Sequence, residues 1–202
     1  MIKAVIFDIG RVLIQFEWDA FVHRLFDSET AERVAAATWH NPVWNELDMG
    51  ILSVEEVLRL FTQSAPDCAA EIRTAFARIG ECALKQPYAI SWIDGLKAQG
   101  LQVYYLSNYF PYLIEQCPQI LDFIPHTDGG IFSYQEHLTK PDPEIYLRLL
   151  QRYHLQPAEC LFIDDKQINT EAAERLGMQA FRFESYEKSY PEITAYLAEH
   201  TK

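Results

Sequence analysis

The chain has 202 residues, 49% of them apolar and 13% aromatic, with a formal net charge of −12. That composition excludes a disordered chain and allows one sizeable core, either as a single domain or as a domain with an insert. The acidic balance, with no dense Lys/Arg run, argues against nucleic acid or an anionic membrane as partner, whereas a local cation can still admit a small anionic substrate. Cys68, Cys82, Cys117 and Cys160 show no zinc or C-x-x-C spacing, so they read as free thiols of a reducing compartment.

The first apolar run, Ala4-Val5-Ile6-Phe7, stops at Asp8. It is too short for a signal peptide or a membrane helix, so a cytoplasmic location is expected. Its composition suits a strand buried on both faces of a parallel sheet. From Glu17 to Lys85 no clear strand is visible. Phe21, Val22, Leu25 and Phe26, and again Val54, Val57, Leu58 and Phe61, have helical spacing, and Ser53 with Glu56 forms a capping-box pattern. Beyond this segment, a helix over 90–99 ends at Gly100. A second strand, Gln102 to Leu106, stops at Ser107-Asn108. A helix over 143–153 opens on Pro143. A third strand, Cys160 to Ile163, stops at Asp164-Asp165. A helix over 169–176 precedes Gly177, a further strand runs from Met178 to Phe183, and a closing helix covers 190–200. Strands alternating with helices predict an α/β fold, a Rossmann-like three-layer parallel sheet with a helical segment inserted after the first strand. The expected organisation is a core of residues 1–16 and 86–202 and a helical insert of 17–85.

Three buried-type strands thus end in polar residues, and open α/β sheets bind ligands beyond the carboxyl ends of their strands. Asp8 is ionised at neutral pH and can act as a nucleophile without a base. Its repulsion from a phosphate dianion calls for a hard cation such as Mg²⁺, which Asp164 and Asp165 can help to hold. Ser107, the amide of Asn108 and a lysine can stabilise the transferring phosphoryl group. Lys140, in a loop that holds two prolines, Pro141 and Pro143, is the candidate lysine. Taken singly, each of these residues also fits a turn, a helix cap or a solvated surface; their order along the chain is what turns and caps do not explain.

Four segments resemble the haloacid-dehalogenase-like hydrolase superfamily: Val5-Ile6-Phe7-Asp8-Ile9-Gly10-Arg11-Val12-Leu13, Leu106-Ser107-Asn108, Lys140-Pro141-Asp142-Pro143-Glu144-Ile145-Tyr146, and Phe162-Ile163-Asp164-Asp165 with Asn169 and Ala172-Ala173. The resemblance implies that the helical insert, 17–85, is a helical cap inserted after the first strand, and that Asp8 forms an aspartyl-phosphate, later hydrolysed by water. It implies Mg²⁺ held by Asp8, the carbonyl of Gly10 and Asp165, with Asp164 acting directly or through a water. It implies phosphate binding by Ser107, Asn108 and Lys140, and an orienting role for Asn169. The family's usual phosphatases carry a second Asp where this chain has Gly10, so the general acid–base is missing from its usual place. Such a group contributes on the order of 10²–10⁴ in rate. A sugar 1-phosphate, whose anomeric oxygen leaves with less help, is the leading substrate expectation, and the D-x-G-x-V form is similar to a subgroup containing bacterial glucose-1-phosphate phosphatases.

In the insert, Trp44 either packs on a sugar face or belongs to the core, and Asp48 can bind hydroxyls. Trp18 either lines the mouth of the cleft or caps the first helix. Arg11 meets an anion or is a solvated charge. The expected function is a Mg-dependent phosphatase acting on a small phosphorylated metabolite. The alternatives are a weakly active or inactive relative that binds phosphorylated ligands or a protein, and a 2-haloacid dehalogenase using the same Asp8 without metal. Nothing in the sequence sets an oligomeric state.

Overall fold

The computed structural model describes residues 1–201. Five parallel strands form the central sheet: β1 (Ala4–Phe7), β4 (Gln102–Ser107), β5 (Gly129–Phe132), β6 (Cys160–Asp164) and β7 (Gln179–Arg182), in the order β5-β4-β1-β6-β7. A short antiparallel pair, β2 (Ile14–Phe16) and β3 (Ala83–Lys85), stands apart from it. β1 is the middle strand, and the chain winds first to the β4 side and then to the β6 side. Its carboxyl end is therefore where connections diverge and leave a crevice.

Residues of alternating parity on the strands pack on opposite faces. Val5, Phe7, Val103, Tyr105, Leu161 and Ile163 join one apolar cluster with the helices Ala89–Ala98 and Tyr186–His200. Ala4, Ile6, Tyr104, Leu106 and Phe162 join another with the helices Pro143–Arg152 and Gln167–Arg175. Burial on both faces explains why these strands read as unbroken apolar runs. The expected three-layer α/β architecture is what the chain adopts.

β2 carries the chain out of the sheet and β3 brings it back alongside, pairing Ile14 with Lys85 and Phe16 with Ala83. Between them lie the helices Trp18–Leu25, Ser28–Ala37, Trp44–Asp48, Val54–Ser64 and Ala69–Ala77. The expectation that the segment lacks a strand is corrected at its exit, where β3 has only three residues and Leu84 points outward at 60% exposure. Ser53 and Glu56 form the expected reciprocal cap: Glu56 N–H donates to Ser53 Oγ at 3.3 Å, and Ser53 N–H donates to Glu56 Oε2 at 2.8 Å. The apolar residues of these helices belong to the same cluster as one face of the sheet.

β5 carries no sequence signal because it begins Gly129-Gly130. A Cβ on Gly130 would lie 2.4 Å from Tyr105 Cδ1, so the strand can approach β4 only with glycine there. The closing helix starts at Tyr186, earlier than expected, because Ser185 Oγ caps it by accepting from Lys188 N–H at 3.3 Å. All four cysteines are free and buried. No helix among the described residues is long and apolar enough to cross a membrane.

Candidate active site

Each strand end delivers its polar residue to one cleft. Asp8 N–H donates to Ile163 O at 2.8 Å, which extends the β1–β6 ladder one residue and aims the Asp8 side chain past the sheet edge. Its Oδ1 accepts from Ile9 N–H at 2.6 Å and pairs with Lys140 Nζ at 2.9 Å. Lys140 Nζ also pairs with Asp164 Oδ2 at 2.6 Å. The Lys140 side chain is 1% exposed, and its ammonium bridges two carboxylates.

Asn108 fixes the lysine loop. Lys140 N–H donates to Asn108 Oδ1 at 2.8 Å, and Asn108 Nδ2 donates to Lys140 O at 3.0 Å. The Asn108 side chain thus holds the backbone of Lys140, while Ser107, 1% exposed, lines the cleft at the end of β4. Asp164 is saturated: Asn169 Nδ2 donates to both of its oxygens at 3.0 Å, and Lys166 N–H donates to Oδ1 at 2.9 Å. Asp165 faces the cleft instead, with Arg11 Nη1 3.9 Å from its Oδ2.

Burial, aided by Asp164 and Asp165 and opposed by Lys140, pushes the Asp8 carboxyl up to about 6. Burial and Asp164 likewise raise Asp165. Burial works against the Lys140 ammonium, but Asp164 and Asp8 outweigh it and hold its pKa above the ordinary lysine value. Carboxylate oxygens of Asp8, Asp164 and Asp165 all lie within 4.8 Å of one another. Three carboxylates around one ammonium leave uncompensated negative charge in a partly dry site. An all-oxygen set of this kind fits a hard divalent cation such as Mg²⁺ rather than a thiophilic one. Added Mg²⁺ is therefore expected to raise the melting temperature, by roughly the equivalent of 2.7 kcal/mol at a hundred times its Kd. Asp165→Asn should fold and lose most of that shift. Scanning calorimetry with and without chelator reads it, and an unchanged melting temperature in wild type would sink the expectation.

The cleft encloses about 610 Å³, open mouth included. Its floor is Asp8, Gly10, Ser107, Asn108, Lys140, Asp165 and Asn169; its wall comes largely from aromatic residues, Phe16, Trp39, Trp44, Tyr109 and Phe110. Trp44 is 5% exposed, so it is a core residue that also shows an edge to the cleft. Trp18 is corrected: it does not reach the cleft. It is 1% exposed, donates its indole N–H to Thr38 Oγ1 at 2.9 Å, and packs on Trp44 with ring centroids 5.3 Å apart. Asp48 lines the cleft. Arg11 is held at the lip, donating Nε–H to Phe16 O at 3.2 Å, with Glu17 3.6 Å away. Sequence reasoning did not single out Trp39 or Lys166, whose ammonium sits 5.6 Å from the Trp39 ring centre. The position of Lys166 directly after Asp165 was the available signal; Trp39 had none.

The family model for haloacid dehalogenase-like hydrolases matches residues 2–177. Over 208 residues the chain is 28% identical to a D-ribitol-5-phosphate phosphatase of Bacteroides thetaiotaomicron, covering 98% of this chain and 99% of that one. It is 27% identical over 176 residues to a sesquiterpene phosphatase of Aspergillus oryzae, covering 87% of each. Among solved structures, a protein described as a predicted HAD-like family hydrolase from Porphyromonas gingivalis superposes with a TM-score of 0.76, at 25% identity over 98% of both chains. A HAD family enzyme of B. thetaiotaomicron, in complex with magnesium and inorganic phosphate, shares the fold at a TM-score of 0.71 and 19% identity, over 91% of this chain and 95% of that one.

Proposed function

The chain belongs to the haloacid dehalogenase-like hydrolases, and from that premise we propose a Mg²⁺-dependent phosphatase that hydrolyses small phosphate monoesters through an aspartyl-phosphate on Asp8. The observation that carries this reading is the convergence of Asp8, Asp164, Asp165 and Lys140 at the carboxyl ends of two adjacent strands and a neighbouring loop. The names of the full-length relatives, one acting on a sugar-alcohol phosphate, point the same way.

Asp8 Oδ1 is held by an N–H and an ammonium, which fixes the carboxylate plane for in-line attack on phosphorus. Lys140 and Ser107 face the equatorial phosphate oxygens, where charge is carried through the transition state. Asp8, Asp165 and the Gly10 carbonyl would hold Mg²⁺, which when bound screens the dianion from the carboxylates. Asp164, engaged by Lys140, Asn169 and Lys166, anchors the lysine and would act on the ion directly or through a water. Residues 17–85 serve as the cap, which adds Trp39 and Trp44 to the aromatic wall of the cleft and keeps water out.

Sugar 1-phosphates are the substrates whose leaving group suffers least from the bare Gly10. The test is phosphate release from a panel of sugar 1-phosphates, sugar 6-phosphates, polyol phosphates and a flavin phosphate, in Mg²⁺ and in chelator. Release that persists in chelator would remove the metal; a flat profile would remove the 1-phosphate preference. A dehalogenase reading has less support, because the carboxylate pair Asp164 and Asp165 beside Asp8 serves no purpose for a halide leaving group. Lack of release from every ester would favour a binding protein.

A further inference from the structure

Attack by Asp8 breaks the bond from phosphorus to the leaving oxygen, and an alkoxide departs slowly at neutral pH unless it is protonated. Gly10, next to the nucleophile, has no side chain to supply that proton. Beyond the residues around the phosphate, the cleft presents four titratable side chains: Arg11, Asp48, Tyr109 and Lys166. A guanidinium does not deprotonate, and Arg11 is tied to Phe16, Glu17 and Asp165. The Tyr109 hydroxyl is buried and unpartnered, and burial beside Cys117 and Cys82 raises its pKa far out of range. The Lys166 ammonium rests on the Trp39 ring.

Asp48 remains, and it is firmly placed. Its carbonyl accepts the Ser133 hydroxyl at 2.5 Å, and the same oxygen of Ser133 accepts Tyr109 N–H at 2.9 Å. Met49 O lies 2.9 Å from His137 Nδ1, and Thr139 donates to Asn45 Oδ1 at 2.9 Å. Gly50, at φ +64°, sits so close that a Cβ would lie 2.9 Å from Tyr134 Cβ. The turn that ends the helix Trp44–Asp48 is thus latched to the segments after β4 and β5, the second of which continues into Lys140. These contacts use backbone and neighbouring side chains and leave the Asp48 carboxyl to the cleft.

We propose that Asp48 is the catalytic acid–base, donating its proton to the leaving oxygen as Asp8 attacks and taking the proton of the water that later hydrolyses the phosphoenzyme. This rests on the phosphatase reading above. In the first half the Asp8–phosphorus bond forms, the bond to the leaving oxygen breaks, the alcohol departs with the Asp48 proton, and Asp48 is left ionised. In the second half water oxygen bonds to phosphorus, the Asp8–phosphorus bond breaks, one water proton goes to Asp48, and phosphate leaves. The environment suits both states: burial pushes the Asp48 carboxyl up to about 7, with Lys166 and Lys140 opposing and Asp8 adding to the rise. An acid in this place widens the substrate range from sugar 1-phosphates to alkyl phosphates.

The test compares wild type with Asp48→Asn on glycerol 2-phosphate, an alkyl ester, and on p-nitrophenyl phosphate, whose phenolate leaves without a proton. For Asp48→Asn, kcat/KM should fall on the order of 10²–10⁴-fold on the alkyl ester and less than about tenfold on the aryl ester. A pre-steady-state burst of nitrophenolate, near one per chain, should appear as dephosphorylation slows. Equal losses on both esters would reduce Asp48 to a binding or structural residue, as would wild-type kcat/KM on the alkyl ester. A missing burst would remove the second half. Wild type that cleaves only the aryl ester overturns the inference alone; wild type that cleaves neither, nor any ester of the sugar, polyol and flavin phosphate panel, overturns the phosphatase reading as well. Asp48→Glu, which restores the carboxyl, should regain part of the alkyl activity whatever the stability of the Asn variant.

Discussion

Asp8→Asn is expected to reduce phosphate release from every ester by on the order of 10⁴-fold or more, the scale on which removing a covalent nucleophile acts, while the protein stays folded. The amide keeps the shape of the carboxylate, and its Oδ1 can still accept from Ile9 N–H and Lys140. It removes one of three clustered negative charges. The sign of its effect on stability follows from the raised Asp8 pKa. The folded carboxyl titrates near 6 against an ordinary 3.8, so the folded state binds more protons between those values. Ionising Asp8 therefore weakens the metal-free fold as pH rises from about 4 through about 6. The Asn variant has no such loss from this residue, so in chelator it should match or exceed wild type in urea at pH 8 and lose that advantage at pH 4. An Asn variant that releases phosphate at wild-type rates would end the nucleophile assignment. One that fails to fold would contradict the buried-charge argument and leave Asp8→Ser to carry the kinetic test.

The parts of this site that were legible in the sequence are those fixed by strands buried on both faces. β1, β4 and β6 are apolar because both faces are covered, and each must end where polar residues begin; Asp8, Ser107-Asn108 and Asp164-Asp165 were visible as those ends. Register in a parallel sheet then aligns them without further information, as Phe7 pairs with Tyr105 and Ile163. β5 was hidden because its glycines answer to Tyr105 and Tyr153, residues distant in the chain. β2 and β3 were hidden by their length. The insert's tryptophans were indistinguishable by type: Trp18 and Trp44 pack on each other, and only the three-dimensional arrangement gives one of them an edge on the cleft. The role of Asp48 depended on where its helix docks, which is set by Ser133, His137 and Thr139 more than eighty residues away.

Lys140→Met should be the most damaging single change to stability at this site, and its cost should depend on pH. The side chain is 1% exposed, and its ammonium is the only cation paired with either Asp8 or Asp164 among the described residues. Removing one partner of a buried ion pair costs about 3–5 kcal/mol, because the remaining charge keeps its desolvation penalty and loses its attraction. Here two carboxylates are stranded. Lys140 lowers the Asp8 pKa, so its loss must raise a value that already stands at about 6. A carboxyl whose folded pKa lies above its unfolded one destabilises the fold when ionised and not when protonated. The deficit of the variant should therefore be largest at pH 8 and shrink as pH falls toward 4, in metal-free buffer. Asp8→Asn in the same chain should return part of it, so that the double variant loses less than the sum of the single ones. Lys166→Met, at an exposed position over Trp39, should cost at most about 1 kcal/mol. Urea unfolding of wild type and the four variants at pH 5 and pH 8 gives the comparison. A deficit below about 1 kcal/mol, or one that is flat with pH, would mean that water reaches the carboxylates and that the lysine is not the counter-charge holding this site together.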